Sequence, residues 1–138
     1  MAADTATIKA LRATDLFSSL SRRSLVMVAE SAKVIHHPAG QQLVTEGSEG
    51  LGFHLIVEGT LSLIVGGKRR GRIGPGQYFG DMSMIDGGPR SATITTETPV
   101  TMIYLSSWKF RPILKAEPEI ARALLLVMCA RLRAAEKR

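Results

Sequence analysis

The densest run of chemistry-bearing residues lies between Gly76 and Ile94, reading GQYFGDMSMIDGGPRSATI. Gly80 is followed by Asp81, Met82, Ser83, Met84 and Ile85, enough for one helical turn. The free N–H groups and the dipole at the start of such a turn favour an anion. Arg90 comes after a glycine-rich loop and directly before the strand-like Ser91-Ala92-Thr93-Ile94. Its guanidinium is a permanently charged fork suited to phosphate. Phosphate would take the arginine and the N–H groups, and a sugar hydroxyl would take the Asp81 carboxylate. Read alone, the same residues also fit a plain structural role. In it Asp81 caps the short helix and pairs with Arg90, since such loops are common.

These residues need a frame that brings them together, and the chain divides into three zones. Residues 5–33 read as helical: Leu16, Leu20, Leu25 and Val28 recur at near-helical spacing, with Ser21 as N-cap of a second helix. Residues 34–105 read as short strands, among them Leu43-Val44, Phe53–Val57, Leu61–Val65, Ala92–Ile94 and Val100–Leu105. Frequent glycines between them predict a small β-barrel or sandwich. Glu58-Gly59 and Gly66-Gly67 are natural hairpin turns, because glycine accepts positive φ without a steric penalty. Residues 106–138 return to helix, with Pro118 suited to a first turn. There Ile120, Leu124, Met128 and Leu132 repeat every four residues, and Leu125 and Cys129 form a second apolar line. A stripe that wide fits simple packing on the barrel, or contact with a ligand or a second subunit.

Composition narrows the function. The 138 residues suffice for one domain, and the 45% hydrophobic and 22% charged content is ordinary for a globular protein. The single cysteine, Cys129, can form neither an internal disulfide nor a cysteine cluster for zinc, and reads as a small core residue. No apolar run reaches the ~18 residues of a membrane span, and the N-terminus lacks a signal-peptide pattern, so cytoplasm is the expected location. The net charge of +6 comes from scattered groups, Arg22-Arg23, Lys68–Arg72 and Arg131–Arg138. They read as solvated faces and not as a nucleic-acid platform. A metal-dependent enzyme on a similar barrel would need converging ligands. The three histidines include His36 and His37, adjacent and therefore on opposite faces of a strand, and His54. No nucleophile–base pair is readable, so the chain is expected not to be an enzyme, with no metal and no cofactor.

The Gly76–Ile94 segment resembles the phosphate-binding cassette of cyclic-nucleotide-binding domains. These occur in bacterial catabolite activator proteins, regulatory subunits of cAMP-dependent protein kinase and cyclic-nucleotide-gated channels. Phe79, Gly80, Pro89, Arg90, Ser91, Ala92 and Thr93 match the family's pattern. Leu16-Phe17 to Leu25 is similar to its helical entry, Ala39-Gly40 to Val65 to its first barrel half, and Phe110 to Arg138 to its closing helices. The resemblance implies a mainly β fold: a small jelly-roll β-barrel (double-stranded β-helix) with N-terminal helices and a C-terminal lid helix. It also implies a ligand site of Phe79, Gly80, Asp81, Met82, Ser83, Arg90, Ser91, Ala92 and Arg131. Backbone N–H groups from Gly80 onward and Arg90 would hold the phosphate, Ser91 would bond it, and Arg131 would stack on the base or stay a surface arginine.

At position 81 the family usually has glutamate for the ribose 2′-hydroxyl, and Asp81 is one methylene shorter. Ser91 leans to cAMP without excluding cGMP. Ala135 and Glu136 stand where the bacterial activators place an adenine-reading polar pair, so that readout is expected to be lost. The implied function is a cAMP sensor that signals through movement of its C-terminal helix, which would also meet a second copy or an effector protein. The expected partners exclude a membrane, and the chain alone is expected not to bind DNA. Two alternatives are the effector domain of a cAMP-responsive transcription regulator and a domain of this fold that no longer binds nucleotide.

Overall fold

Among the described residues, glycine-punctuated segments form eight strands, and five helices precede, interrupt and follow them. The structure, a computed structural model, describes residues 4–49 and 52–137. The helices are α1 (Thr5–Arg12), α2 (Arg22–Ser31), α3 (Asp81–Asp86), α4 (Ser107–Ala116) and α5 (Pro118–Glu136). The strands are β1 (Lys33–His37), β2 (Gln42–Val44), β3 (Gly52–Glu58), β4 (Leu61–Val65), β5 (Lys68–Ile73), β6 (Tyr78–Phe79), β7 (Thr93–Thr96) and β8 (Val100–Ser106). The chain divides into two units, Ser31–Arg111 and the pair of segments Met1–Glu30 with Pro112–Arg138.

The unit Ser31–Arg111 is the barrel. Two antiparallel four-stranded sheets, ordered β1-β8-β3-β6 and β2-β7-β4-β5, form the jelly roll. The expected hairpins are present. Gly59 (φ 96°) turns β3 into β4, and Gly66 and Gly67 (φ 60° and 78°) turn β4 into β5, a pair of left-handed residues that only glycine adopts cheaply. Ile56, Leu61, Ile73, Phe79, Ile94, Val100 and Met102 form the core, with Ile35, Leu43, Val44 and Leu63 packed against it. β3, an interior strand, is buried on both faces from Gly52 to Ile56. β1, β5 and β6 were not among the strands read from the sequence. β5 is the sheet-edge segment KRRGRI, exposed except at Ile73, so no apolar alternation marks it. Glu97 accepts from Arg69 and Arg72 there (2.8 and 2.9 Å), so part of the basic run is paired.

In the helical unit Ser21 caps α2 as expected, accepting from the Ser24 backbone N–H through Oγ (3.2 Å). Glu119 of α5 binds the same helix start. It accepts from the Ser21 N–H (2.7 Å) and from the Ser21 and Ser24 hydroxyls (3.2 and 3.1 Å). Those bonds, the backbone one foremost, hold its carboxyl below the ordinary 4.5. Pro118 occupies the first turn of α5. The apolar stripe of α5 is only half buried. Ile120 and Leu124 are buried, whereas Leu125, Leu126 and Leu132 are exposed. Cys129 is exposed too, and not the core residue expected, because burial along α5 stops at Leu124. Among the described residues no helix is long and apolar enough to cross a membrane.

Candidate functional site

The segment after β6 folds as its glycines dictate. Gly80 (φ 83°) and Gly87 (φ 70°) are left-handed residues at either end of α3. A Cβ on Gly80 would collide with the Gly52 carbonyl oxygen and with Nη1 of Arg90, so a side chain is excluded by space as well as by φ. α3 is tied down by Met84 N–H to Gly80 (2.9 Å) and Gly87 N–H to Ser83 (2.8 Å). Ser83 donates its hydroxyl to the Gly88 carbonyl (3.1 Å), and Asp86 accepts from the Gly88 N–H (2.7 Å). The loop therefore returns in a defined path to Arg90. There the backbone is stitched to the turn before β3, through Arg90 N–H to Ser48 (2.8 Å) and Gly47 N–H to Arg90 (2.8 Å).

Arg90 is only 7% exposed, yet it has no carboxylate on its free nitrogens. Nη2 donates to the Gly52 carbonyl at 2.9 Å, while Nε and Nη1 are buried without a partner. The plain alternative, in which Asp81 satisfies Arg90, is not what the chain does. Asp81 is the first residue of α3 and Gly80 is its cap. Burial pulls the arginine below its ordinary value, but a guanidinium stays charged in proteins. A buried cation with two unpartnered nitrogens calls for hydrogen-bond acceptors, and an anion supplies both the acceptors and the countercharge. Its underside is apolar and fixed: Phe79 lies 5.9 Å below the guanidinium carbon, and His54 stacks on Phe79 at 4.6 Å and 9°.

A cavity of about 450 Å³ opens at this point. Phe79, Gly80, Asp81, Met82, Ser83, Arg90, Ser91 and Ala92 all line it, so eight of the nine residues expected at the site share one space. Its other wall is apolar, from Val44, Leu63, Ile73 and Ile94. The chemistry matches a small ligand with an anionic end and an apolar end.

The sequence model for the cyclic nucleotide-binding domain matches residues 34–117, which include the whole cassette and most of the barrel. The chain belongs to the cyclic nucleotide-binding domain family. The domain is 34% identical over 109 residues to a cyclic nucleotide-gated potassium channel of Mesorhizobium japonicum, a match covering 79% of the domain and 30% of the channel. The chain thus spans less than a third of that relative's length. The N-terminal domain of a transcriptional regulator from Streptomyces coelicolor superposes with a TM-score of 0.83 at 29% identity, over 93% of this chain and 95% of that one. The regulatory domain of Toxoplasma gondii PKA, solved with cAMP, gives 0.70 at 27% identity, over 78% and 42%.

The ninth expected residue, Arg131, belongs to the helical unit, where Asp15 pairs with it at 3.7 Å. Among the described residues no group of three or more His, Cys, Asp or Glu side chains could hold a metal ion. His36 bonds Thr101 and His37 bonds Gln41, each at 3.1 Å. Two structural features beside this cavity are not legible in the sequence. The Gly52 carbonyl that anchors Arg90 is backbone and carries no residue-type signal. His54 was weighed only as a metal ligand. Its place beside Phe79 follows from the His54–Phe79 register of β3 and β6, and a two-residue strand leaves no pattern to find.

Proposed function

We propose that this domain is a cAMP-binding regulatory module and not an enzyme. The observation that carries the reading is Arg90: buried, anchored by one nitrogen, and presenting Nε and Nη1 without partners. In this reading the unpartnered N–H groups of the guanidinium receive the equatorial oxygen of a cyclic phosphate, a charge-assisted contact. The N–H groups at the start of α3 face the same charge. Asp81 takes the ribose 2′-hydroxyl, and its shorter side chain makes this the weaker contact. Ser91 is exposed at the cavity rim and bonds the phosphate, and as serine it favours cAMP over cGMP. Leu63, Ile73 and Val44 receive the base.

The response is carried by α5, whose exposed Leu125, Leu126 and Leu132 are available to repack or to meet a second copy or an effector protein. Ligand shifts such an equilibrium only by binding one arrangement better. Arg131 stacks on the base in the bound arrangement, exchanging its Asp15 pair for that contact. Calorimetric titration with cAMP, cGMP and AMP tests the reading. The expected order is cAMP tightest, cGMP weaker and AMP weakest. Absence of heat and of thermal shift with all three would mean that the domain has kept the fold and lost the ligand.

A further inference from the structure

Arg90 lines two cavities. The second, of about 520 Å³, shares only Arg90 and Val44 with the cassette cavity and opens between β1, the β2 segment and the turn before β3. Its volume is in the range of small-molecule sites. Most of its polar lining is already satisfied within the chain. His37 and Gln41 bond each other, Gln42 donates to Thr45, and Ser48 donates its hydroxyl to the Thr45 carbonyl. Four groups remain, the Glu49 carboxylate and three others. Lys33 is exposed, its Nζ 5.8 Å from the Tyr104 ring centroid. Arg90 also lines this cavity, and its Nε and Nη1 are buried without a partner. His54 is 9% exposed, wedged between Phe79 and Tyr104 (4.6 and 4.8 Å between centroids), and its Nδ1 is buried with no hydrogen-bond partner.

That nitrogen is the informative atom. Buried polar atoms almost always find a partner, and a ligand in the cassette does not supply one, because His54 lines the second cavity and not the first. The charge balance restricts the occupant. Lys33 and Arg90 stand against one carboxylate, Glu49, leaving room for a single negative charge. Ile35, Leu43 and Val44 supply an apolar wall, which suits a ligand with a hydrophobic body and not a bare ion.

We propose that this second cavity binds a small organic monocarboxylate with an apolar body, its carboxylate received by Lys33, Arg90 and the Nδ1–H tautomer of His54. Because one guanidinium serves both cavities, the carboxylate and the cyclic nucleotide oppose each other, and the opposition is reciprocal. That coupling rests on the reading of Arg90 given above; the site itself does not.

Benzoate is the probe, with benzyl alcohol as its uncharged analogue and inorganic phosphate as an anion lacking the apolar body. Binding to the full chain is followed by saturation-transfer NMR and thermal shift, without nucleotide. Benzoate binds and the two controls bind far more weakly. His54→Phe, which keeps the ring stack, weakens benzoate by about tenfold or more. Lys33→Met, at an exposed position, weakens it by about two- to fivefold. Saturating benzoate lowers the apparent cAMP affinity by about fivefold or more.

No benzoate binding, or binding unchanged in both variants, overturns the site. Benzyl alcohol binding as well as benzoate overturns the role of the charge, and phosphate binding as well overturns the apolar body. An unchanged cAMP affinity at saturating benzoate overturns the sharing of Arg90. If benzoate binds with the expected variant pattern while no cyclic nucleotide binds, the second site stands and the nucleotide reading fails.

Discussion

Arg90 reaches the Gly52 carbonyl with Nη2 at 2.9 Å, and this single bond orients the cation while leaving Nε and Nη1 for something else. Position 52 has no room for a side chain because β3 passes close to β8: a Cβ there would meet the Leu105 carbonyl oxygen at 2.5 Å and the Ser106 Cα at 2.9 Å. The arginine is thus pre-oriented by backbone. A side-chain partner would compete with an anionic ligand for its charge, and a carbonyl does so only weakly.

Arg90→Leu is expected to lose about 2–5 kcal/mol of cAMP binding, thirty- to several-thousand-fold in affinity, since the ligand charge is left without its partner. Asp81→Ala loses less, about 1.5–3 kcal/mol. Calorimetry on folded variants measures both. Near-normal affinity in Arg90→Leu would remove the phosphate assignment.

Gly80→Ala is expected to damage both fold and site. The left-handed φ of 83° costs a residue with a Cβ about 1–2 kcal/mol, and the added atom strikes backbone at Gly52 as well as the Arg90 side chain. Gly67→Asn is the control: its φ is 78° and no atom lies within 4 Å of an added Cβ. Urea denaturation of the two variants should show a marked loss for the first and a small one for the second.

His54 makes stability depend on pH. Burial foremost, then the positive charges of Arg90 and His37, lowers its pKa from 6.5 to about 3. Between those values the unfolded chain binds the proton and the folded chain does not. Stability therefore falls as pH drops below about 6.5 and stops falling from this source near 3, at about 1.4 kcal/mol per pH unit within the window. Urea midpoints at pH 7, 6 and 5 check this, and His54→Phe should flatten the profile. An unchanged profile in that variant would show that His54 is not the group responsible.

Glu119 contributes with the opposite acid–base logic. Its carboxyl is held below 4.5 by the Ser21 N–H and the two serine hydroxyls. Its stabilisation is present above the ordinary carboxylate value and is lost as pH falls through the lowered one. Glu119→Gln should lower the melting temperature at pH 7 and shrink the difference from the parent below pH 4. An equal difference at both pH values would argue against an ionised cap.

If α5 is the responding element, cAMP should slow hydrogen exchange across residues 119–136, and Arg131→Ala should weaken binding. Protection confined to residues 79–93, with normal binding by the variant, would make α5 purely structural.

What the sequence by itself determined is whatever depends on residue type and short spacing. The cassette from Phe79 to Thr93, the left-handed glycines at the hairpin turns, the Ser21 cap and Pro118 at the start of α5 are local devices, and each stands in the structure as read. Tertiary structure decided the rest. β5 carries charge at a sheet edge and β6 has two residues, so neither has a periodicity, and only pairing with β4 and β3 makes them strands. The residue types of Asp81 and Arg90 fit either a mutual pair or a ligand site, and a carbonyl 38 residues upstream of Arg90 takes one nitrogen while Nε and Nη1 stay without a partner. His54 became a buried, stacked ring with an unpartnered Nδ1 because β3 places it beside Phe79 and Tyr104. Such facts depend on which backbone and side-chain atoms meet across long sequence separations, and no local pattern of residue types encodes them.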